Sequence, residues 1–158
     1  MVPRKTNIVK SAAQRTIPEK FHSERLRRLP LERRRKVQTA MLLTSQSLEK
    51  QSQAMAKKLI NLKTALPPSP TITYASAVRT FNEIKKEYSR LANLFHIVNR
   101  YGKKYFKWFK ATEEERHESQ NPVEKSLHEV FRNIEYLDGS FRYVAIDIKV
   151  LQKWKEKQ

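Results

Sequence analysis

The chain has 158 residues, with 33 Lys and Arg against 16 Asp and Glu, a formal net charge of +17, two glycines and no cysteine. That length fits one domain with an appended arm, and a chain without cysteine has neither a disulfide framework nor a thiolate metal site. Two glycines leave few places for positive φ, which disfavours a sheet of many hairpins and favours long helices joined by a few breaks.

Residues 1–15 carry Arg4, Lys5, Lys10 and Arg15, no acidic residue and no sustained hydrophobic period, as expected of a flexible basic arm. The acid-free stretch, which extends to Pro18, weakly resembles a mitochondrial transit peptide. A nucleic-acid-binding arm accounts for it equally and is preferred. Thr16-Ile17-Pro18-Glu19 has the form of a capping box and predicts a short helix over about 17–29. Pro30 interrupts that helix and suits the opening of the next.

The second helix is expected over about 31–66. Val37, Met41, Leu48, Met55, Leu59, Leu62 and Leu66 recur mostly at threes, fours and sevens, with Thr44 and Ser52 filling missing seam positions. Pro67, Pro68 and Pro70 end it. The loop that follows holds Ser69-Pro70, a weak signal for proline-directed phosphorylation.

The third helix, over about 74–111, has the clearest pattern. Ala77, Phe81, Ile84, Tyr88, Leu91, Phe95, Val98, Gly102, Tyr105 and Phe109 alternate steps of four and three, a heptad seam. Tyr74, Val78, Leu94, Ile97 and Tyr101 widen its apolar face, which suits a three-helix core or a further partner helix. A polar connection, 113–120, leads to Asn121-Pro122-Val123-Glu124, a strong helix start. The fourth helix is expected over about 122–156, on the seam Val123, Leu127, Val130, Ile134, Leu137, Phe141, Val144, Ile148 and Leu151. Asp138-Gly139-Ser140 would ordinarily be a turn, followed by a strand in 141–150, but the unbroken phase favours one helix. The expected fold is therefore all-α: three long antiparallel helices in a coiled-coil-like bundle over 16–158, with a short N-terminal helix and the basic arm.

The charge is uneven. Basic residues exceed acidic ones by nine over 1–36, three over 37–74 and seven over 75–110. Acidic residues lead by three over 111–120, and the balance over 121–158 is only +1. A positive field of this size attracts nucleic acid, anionic membrane or acidic protein. No apolar run approaches the ~18 residues needed to span a bilayer, and the first 30 residues lack the apolar core of a secretory signal.

The catalytic inventory is poor: no Gly-rich phosphate loop, no nucleophile elbow and no Cys–His pair. His22, His96, His117 and His128 form no HExxH or HxxxH pair and read as surface or boundary residues. The carboxylates Glu113, Glu114, Glu115 and Glu118 read as a solvated connector, not a general acid–base pair. No cofactor or metal is expected, and the chain is not expected to be an enzyme.

Two clusters carry the functional signal. The first is Arg25, Arg27, Arg28, Arg33, Arg34, Arg35 and Lys36. Guanidinium groups make bidentate contacts with phosphate and carboxylate, and the cluster equally fits a nuclear-import signal or a solvated charged face. The second is Arg100, Lys103, Lys104, Lys107 and Lys110, interleaved with Tyr101, Tyr105, Phe106, Trp108 and Phe109. The rings could stack on unpaired bases, enter a membrane interface or belong to the core. Tyr105 and Phe109 continue the seam, Phe106 is the expected outlier, and Lys103, Lys107 and Lys110 are expected near one helical face. The resulting expectation is a nuclear nucleic-acid-binding protein, DNA or chromatin favoured, with phosphate contacts and little sequence preference. The alternatives are a structural subunit docking on acidic protein such as a tubulin tail, in the cytoplasm or cytoskeleton, and a membrane-surface protein. A helical partner or a homo-oligomer is compatible with the seams.

Overall fold

The computed structural model describes residues 17–107 and 121–157. The predicted basic arm, the capping-box residue Thr16, the acidic connector and the residues Trp108, Phe109 and Lys110 lie outside them. Among the described residues all regular structure is helical and the helices pack against each other. A 3₁₀ turn at Glu19–Phe21 is followed by α1 (Glu24–Arg27), α2 (Leu31–Thr64), α3 (Tyr74–Tyr105) and α4 (Pro122–Lys157). The one strand-like feature among them is an isolated antiparallel bridge between His22 and Phe106. None of these helices is long and apolar enough to cross a membrane.

The helix starts follow local chemistry. Ser23 caps α1, its Oγ accepting from the Leu26 N–H at 3.2 Å. Pro30 sits just before α2, its carbonyl accepting from Arg34 N at 2.9 Å. Thr73 Oγ1 accepts from Ser76 N at 3.2 Å at the start of α3, and Asn121 Oδ1 accepts from Val123 N at 3.1 Å at the start of α4. The side-chain caps at Ser23, Thr73 and Asn121 each satisfy an N–H that the first helical turn leaves without an intrahelical partner, whereas the Pro30 carbonyl makes the first intrahelical bond of α2. Between α2 and α3 the chain closes on itself through Thr71 N, which donates to Ala65 O at 2.9 Å.

Two sequence expectations need correction. The helix expected over 17–29 is instead a 3₁₀ turn and a single α turn, broken at His22 and Ser23. Both are extended, with ψ of 129° and 164°; the His22 N–H closes the 3₁₀ turn on Glu19 O, and the Ser23 N–H pairs with Tyr105 O. The helix expected over 74–111 ends at Tyr105, where Phe106 turns aside to bridge His22. The single helix preferred over a turn and strand through 138–150 does form: α4 runs unbroken through Gly139, which has no positive φ.

The chain divides into two compact units: Met1–Glu49 with Phe95–Glu129, and Lys50–Leu94 with Val130–Gln158. The second is built on regular side-chain seams. Met55, Leu59, Leu62 and Leu66 from the α2 side, Ala77, Ile84 and Leu91 from α3, and Leu137, Phe141, Val144, Ile148 and Leu151 from α4 are all buried. Phe141 meets Phe81 and Tyr88 edge-on, with ring centroids 5.8 and 5.1 Å apart. Ser52, fully buried at a seam position, accepts from Asn133 Nδ2 at 2.9 Å, so its polarity costs little. At the rim, Lys58 pairs with Glu87 at 3.3 Å, and Tyr88 donates to Asp138 Oδ1 at 3.4 Å.

In the first unit the core combines Ile17, Phe21 and Leu26 of the N-terminal segment with Met41, Leu42 and Leu48 of α2, Phe95, Val98 and Phe106 from the α3 side, and Val123 and Leu127 of α4. On α2, Ser45 is fully buried whereas Thr44, expected on the seam, is only half-buried. Ser45 Oγ donates to Leu42 O at 3.1 Å, which satisfies it within its own helix.

Candidate nucleic-acid interface

The last turn of a helix leaves carbonyls without intrahelical donors. At the end of α3 they are met by the N-terminal segment. Ser23 N donates to Tyr105 O at 3.0 Å, and Ser23 Oγ donates to Lys104 O at 3.1 Å. One residue on each side, the Lys107 N–H donates to Phe21 O at 2.6 Å, and the His22 and Phe106 rings meet edge-on at 6.1 Å. Lys103 and Lys104 occupy that last turn, where cations complement the partial negative charge of the helix C-terminus. Ser23 therefore caps α1 and closes α3 at once.

This clip fixes the relation between the two basic clusters. Arg25, Arg27 and Arg28 begin two residues beyond Ser23, and Arg33, Arg34, Arg35 and Lys36 open α2 directly after Pro30. Arg100, Lys103, Lys104 and Lys107 belong to the α3 terminus that the clip holds. Clusters some 75 residues apart in the chain are thus joined backbone to backbone in one unit.

The individual cations differ. Arg25, Arg33 and Arg35 are exposed, and no hydrogen bond or ion pair with another described residue engages their side chains. Arg28 pairs with Glu24 at 3.4 Å and Lys36 with Glu32 at 4.0 Å. Both pairs are strongly exposed and leave the cations available, since such pairs are worth little in water. Arg27 stays exposed while its guanidinium donates to Glu19 O at 3.2 Å. Arg34 corrects the expectation of a free cluster: it is half-buried, and its Nη2 donates to Arg27 O at 3.2 Å and Leu29 O at 3.3 Å. It satisfies the carbonyls left by α1 and is a structural residue.

In the second cluster Arg100, Lys103 and Lys107 are exposed. Lys107 lies beyond the end of α3, so it does not share the helical face expected with Lys103, and Lys110 lies outside the described residues. Lys104 lies 6.0 Å from the Tyr101 ring centroid and 5.3 Å from that of Tyr105. Those two rings stack at 6.4 Å and 6°. Tyr101 is 51% exposed and presents an aromatic surface among cations. Phe106, expected as the outlier, is instead among the most deeply buried side chains, at 2%. Its burial follows from the chain leaving the helix and turning under His22.

The histidines also need correction. His22 and His128 are buried rather than at the surface or boundary, while His96 is exposed and His117 lies outside the described residues. His22 Nε2 donates to Ile17 O at 2.9 Å, which fixes the N-terminal segment. Among the described residues no group of His, Asp and Glu could hold a metal ion.

Sequence reasoning missed Ser23, His22 and Phe106 as the clip. The readable signal was Ser23 before Glu24-Arg25-Leu26, an N-cap pattern one turn inside the expected helix. Nothing local announced that the same serine would close a helix from the other end of the unit. No family model, curated protein or solved structure matches this chain, so its functional reading rests on these residues alone.

Proposed function

We propose that this chain is a non-enzymatic nuclear protein that binds nucleic acid, DNA or chromatin by preference, through phosphate contacts with little sequence specificity. The observation that supports it most is the clip at Ser23, which holds the arginine-rich and lysine-rich clusters in one unit while Arg25, Arg33 and Arg35 remain exposed. Each phosphate neutralised by such a cation releases condensed counterions, and that release drives sequence-independent binding. Tyr101 adds a ring on which an unpaired base can stack. The scaffold in this reading is an antiparallel, coiled-coil-like packing of the long helices. The cross-helix pairs Lys58–Glu87, Ser52–Asn133 and Tyr88–Asp138 bring α2, α3 and α4 side by side within the second unit, which this reading requires.

Titration of duplex DNA and RNA at two salt concentrations tests the reading. The expected result is binding at low salt that falls steeply as salt rises. Replacing Arg25, Arg33 and Arg35 together by Ala should weaken binding and make the log–log salt slope shallower by about two to three, with unchanged helicity. No binding to either nucleic acid at low salt would reject it. The same guanidinium groups also suit carboxylates, which supports a second reading, docking on acidic protein such as microtubule surfaces. Co-sedimentation with microtubules, without nucleic-acid affinity, would favour that one.

A further inference from the structure

Helix α4 carries two apolar stripes, and the seam through Leu137, Phe141, Val144 and Ile148 accounts for only one of them. Tyr136, Gly139, Tyr143, Ile146, Val150 and Trp154 recur at steps of three, four, three, four and four, so they share a second face roughly a third of a turn away. Tyr143 is 65% exposed, Ile146 53%, Tyr136 40% and Trp154 39%. An aligned set of large apolar side chains left open to water is what a helix presents to a partner.

Gly139 strengthens the case. A glycine inside a helix costs about 1 kcal/mol relative to alanine, and nothing among the described residues calls for it. Gly139 has no positive φ, and a Cβ built there would meet no atom within 4 Å. A glycine centred in an exposed stripe lets a second backbone approach closely.

We propose that this face of α4 joins two copies of the chain in an antiparallel pair. Charge selects the occupant. In a chain of net charge +17, residues 121–158 are nearly neutral, at +1, so here a second copy meets the least repulsion. Glu135, Arg142 and Lys149, all exposed, line one border of the stripe at intervals of seven. Turned end to end about Arg142, that border sets Glu135 of each copy beside Lys149 of the other, twice across the pair, two attractive pairs against the single exposed approach of Arg142 to its own copy at the axis. A two-fold contact has to be self-complementary in this way. Cross-helix pairs of this kind set orientation in helical dimers.

Sedimentation equilibrium of the full chain, freed of nucleic acid and at physiological salt, tests the pairing. The expected result is a monomer–dimer equilibrium. Tyr143→Glu should weaken it about tenfold or more, as expected for a central interface residue, while helicity is unchanged because Tyr143 serves no core. Gly139→Ala should raise the thermal stability of the monomer and yet weaken the dimer, a combination that a purely intramolecular role cannot produce. Glu135→Lys should weaken the dimer, and adding Lys149→Glu should restore it. A chain monomeric up to high micromolar concentration would overturn the proposal, as would a dimer indifferent to Tyr143→Glu. Neither result bears on nucleic-acid binding, which uses other residues.

Discussion

The two units of this molecule are held by different physics. In the second, Lys50–Leu94 with Val130–Gln158, helices meet through repeating apolar seams, and the polar groups among them are satisfied by neighbours across helices or left at the rim. In the first, an irregular segment buries Ile17, Phe21 and Leu26 and is tied by a few specific hydrogen bonds, with Ser23, His22 and Phe106 closing the end of α3. A seam spreads its stability over many interchangeable contacts. A clip concentrates it in a few groups with fixed geometry. Arg25, Arg27 and Arg28 lie on the short N-terminal segment beside the clip, while Arg33, Arg35 and Lys36 are carried on α2 and Arg100, Lys103 and Lys104 on α3.

The comparison can be broken most severely through the seam. Leu91→Asp puts an unpaired carboxylate at a buried position of α3 and should cost about 4 kcal/mol or more, read as a large fall in unfolding temperature and helicity. Unchanged stability would remove the seam from the account. Phe106→Ala should cost about 3–4 kcal/mol. Its signature should be faster amide exchange over 17–27, with little change over 130–150. Equal acceleration in both stretches would erase the distinction between clip and seam.

Smaller changes sharpen it. Ser23→Ala removes the cap of α1 and one donor to α3, and should cost about 1–2 kcal/mol by denaturant unfolding. Arg34→Ala should cost about 1 kcal/mol because it strands two carbonyls, whereas Arg33→Ala should leave stability unchanged and affect polyanion affinity only. Equal stability for these two variants would deny Arg34 its structural role.

The smallest effect lies at the rim of the second unit. Burial raises the Tyr88 pKa above its usual value, with the nearby Asp138 carboxylate and the hydrogen bond to it acting in the same direction. The folded state therefore favours the neutral phenol. That contribution is complete below about pH 10, the unfolded value, and is lost as pH rises through the raised folded value. Tyr88→Phe should remove this share of the alkaline loss, so its unfolding temperature should decline less steeply than that of the parent above about pH 10. Parallel declines would show that Tyr88 contributes nothing to the pH dependence.

How much was legible in the sequence differs between the units for the same reason. Period-based reading works where side chains repeat, so Ile84, Leu91, Leu137 and Val144 could be placed in a core from spacing alone. It also carried α4 through Asp138-Gly139-Ser140, where local turn propensity pointed the other way. It failed at 106, and the capping-box reading failed at 17–29, where the chain forms no long regular element. Phe106 fell off the heptad, and off-heptad in a straight helix means exposed. The helix stops one residue earlier, so the inference had the wrong backbone under it. Arg34 was read as one of three equal arginines because sequence shows charge but not the carbonyls that charge will satisfy.

By itself the sequence determined that this chain is helical, where its long helices begin, which stripes they bury and how unevenly its charge is laid out. Those properties follow from caps, prolines and periodicity, all of which act within a few residues. Tertiary structure alone decided that Ser23 would close α3, that Phe106 would be buried, and that Arg34 would serve the fold while Arg25, Arg33 and Arg35 stayed exposed. The physical reason is that unsatisfied carbonyls at a helix end take whatever donors packing brings to them, and packing joins residues that no local pattern connects.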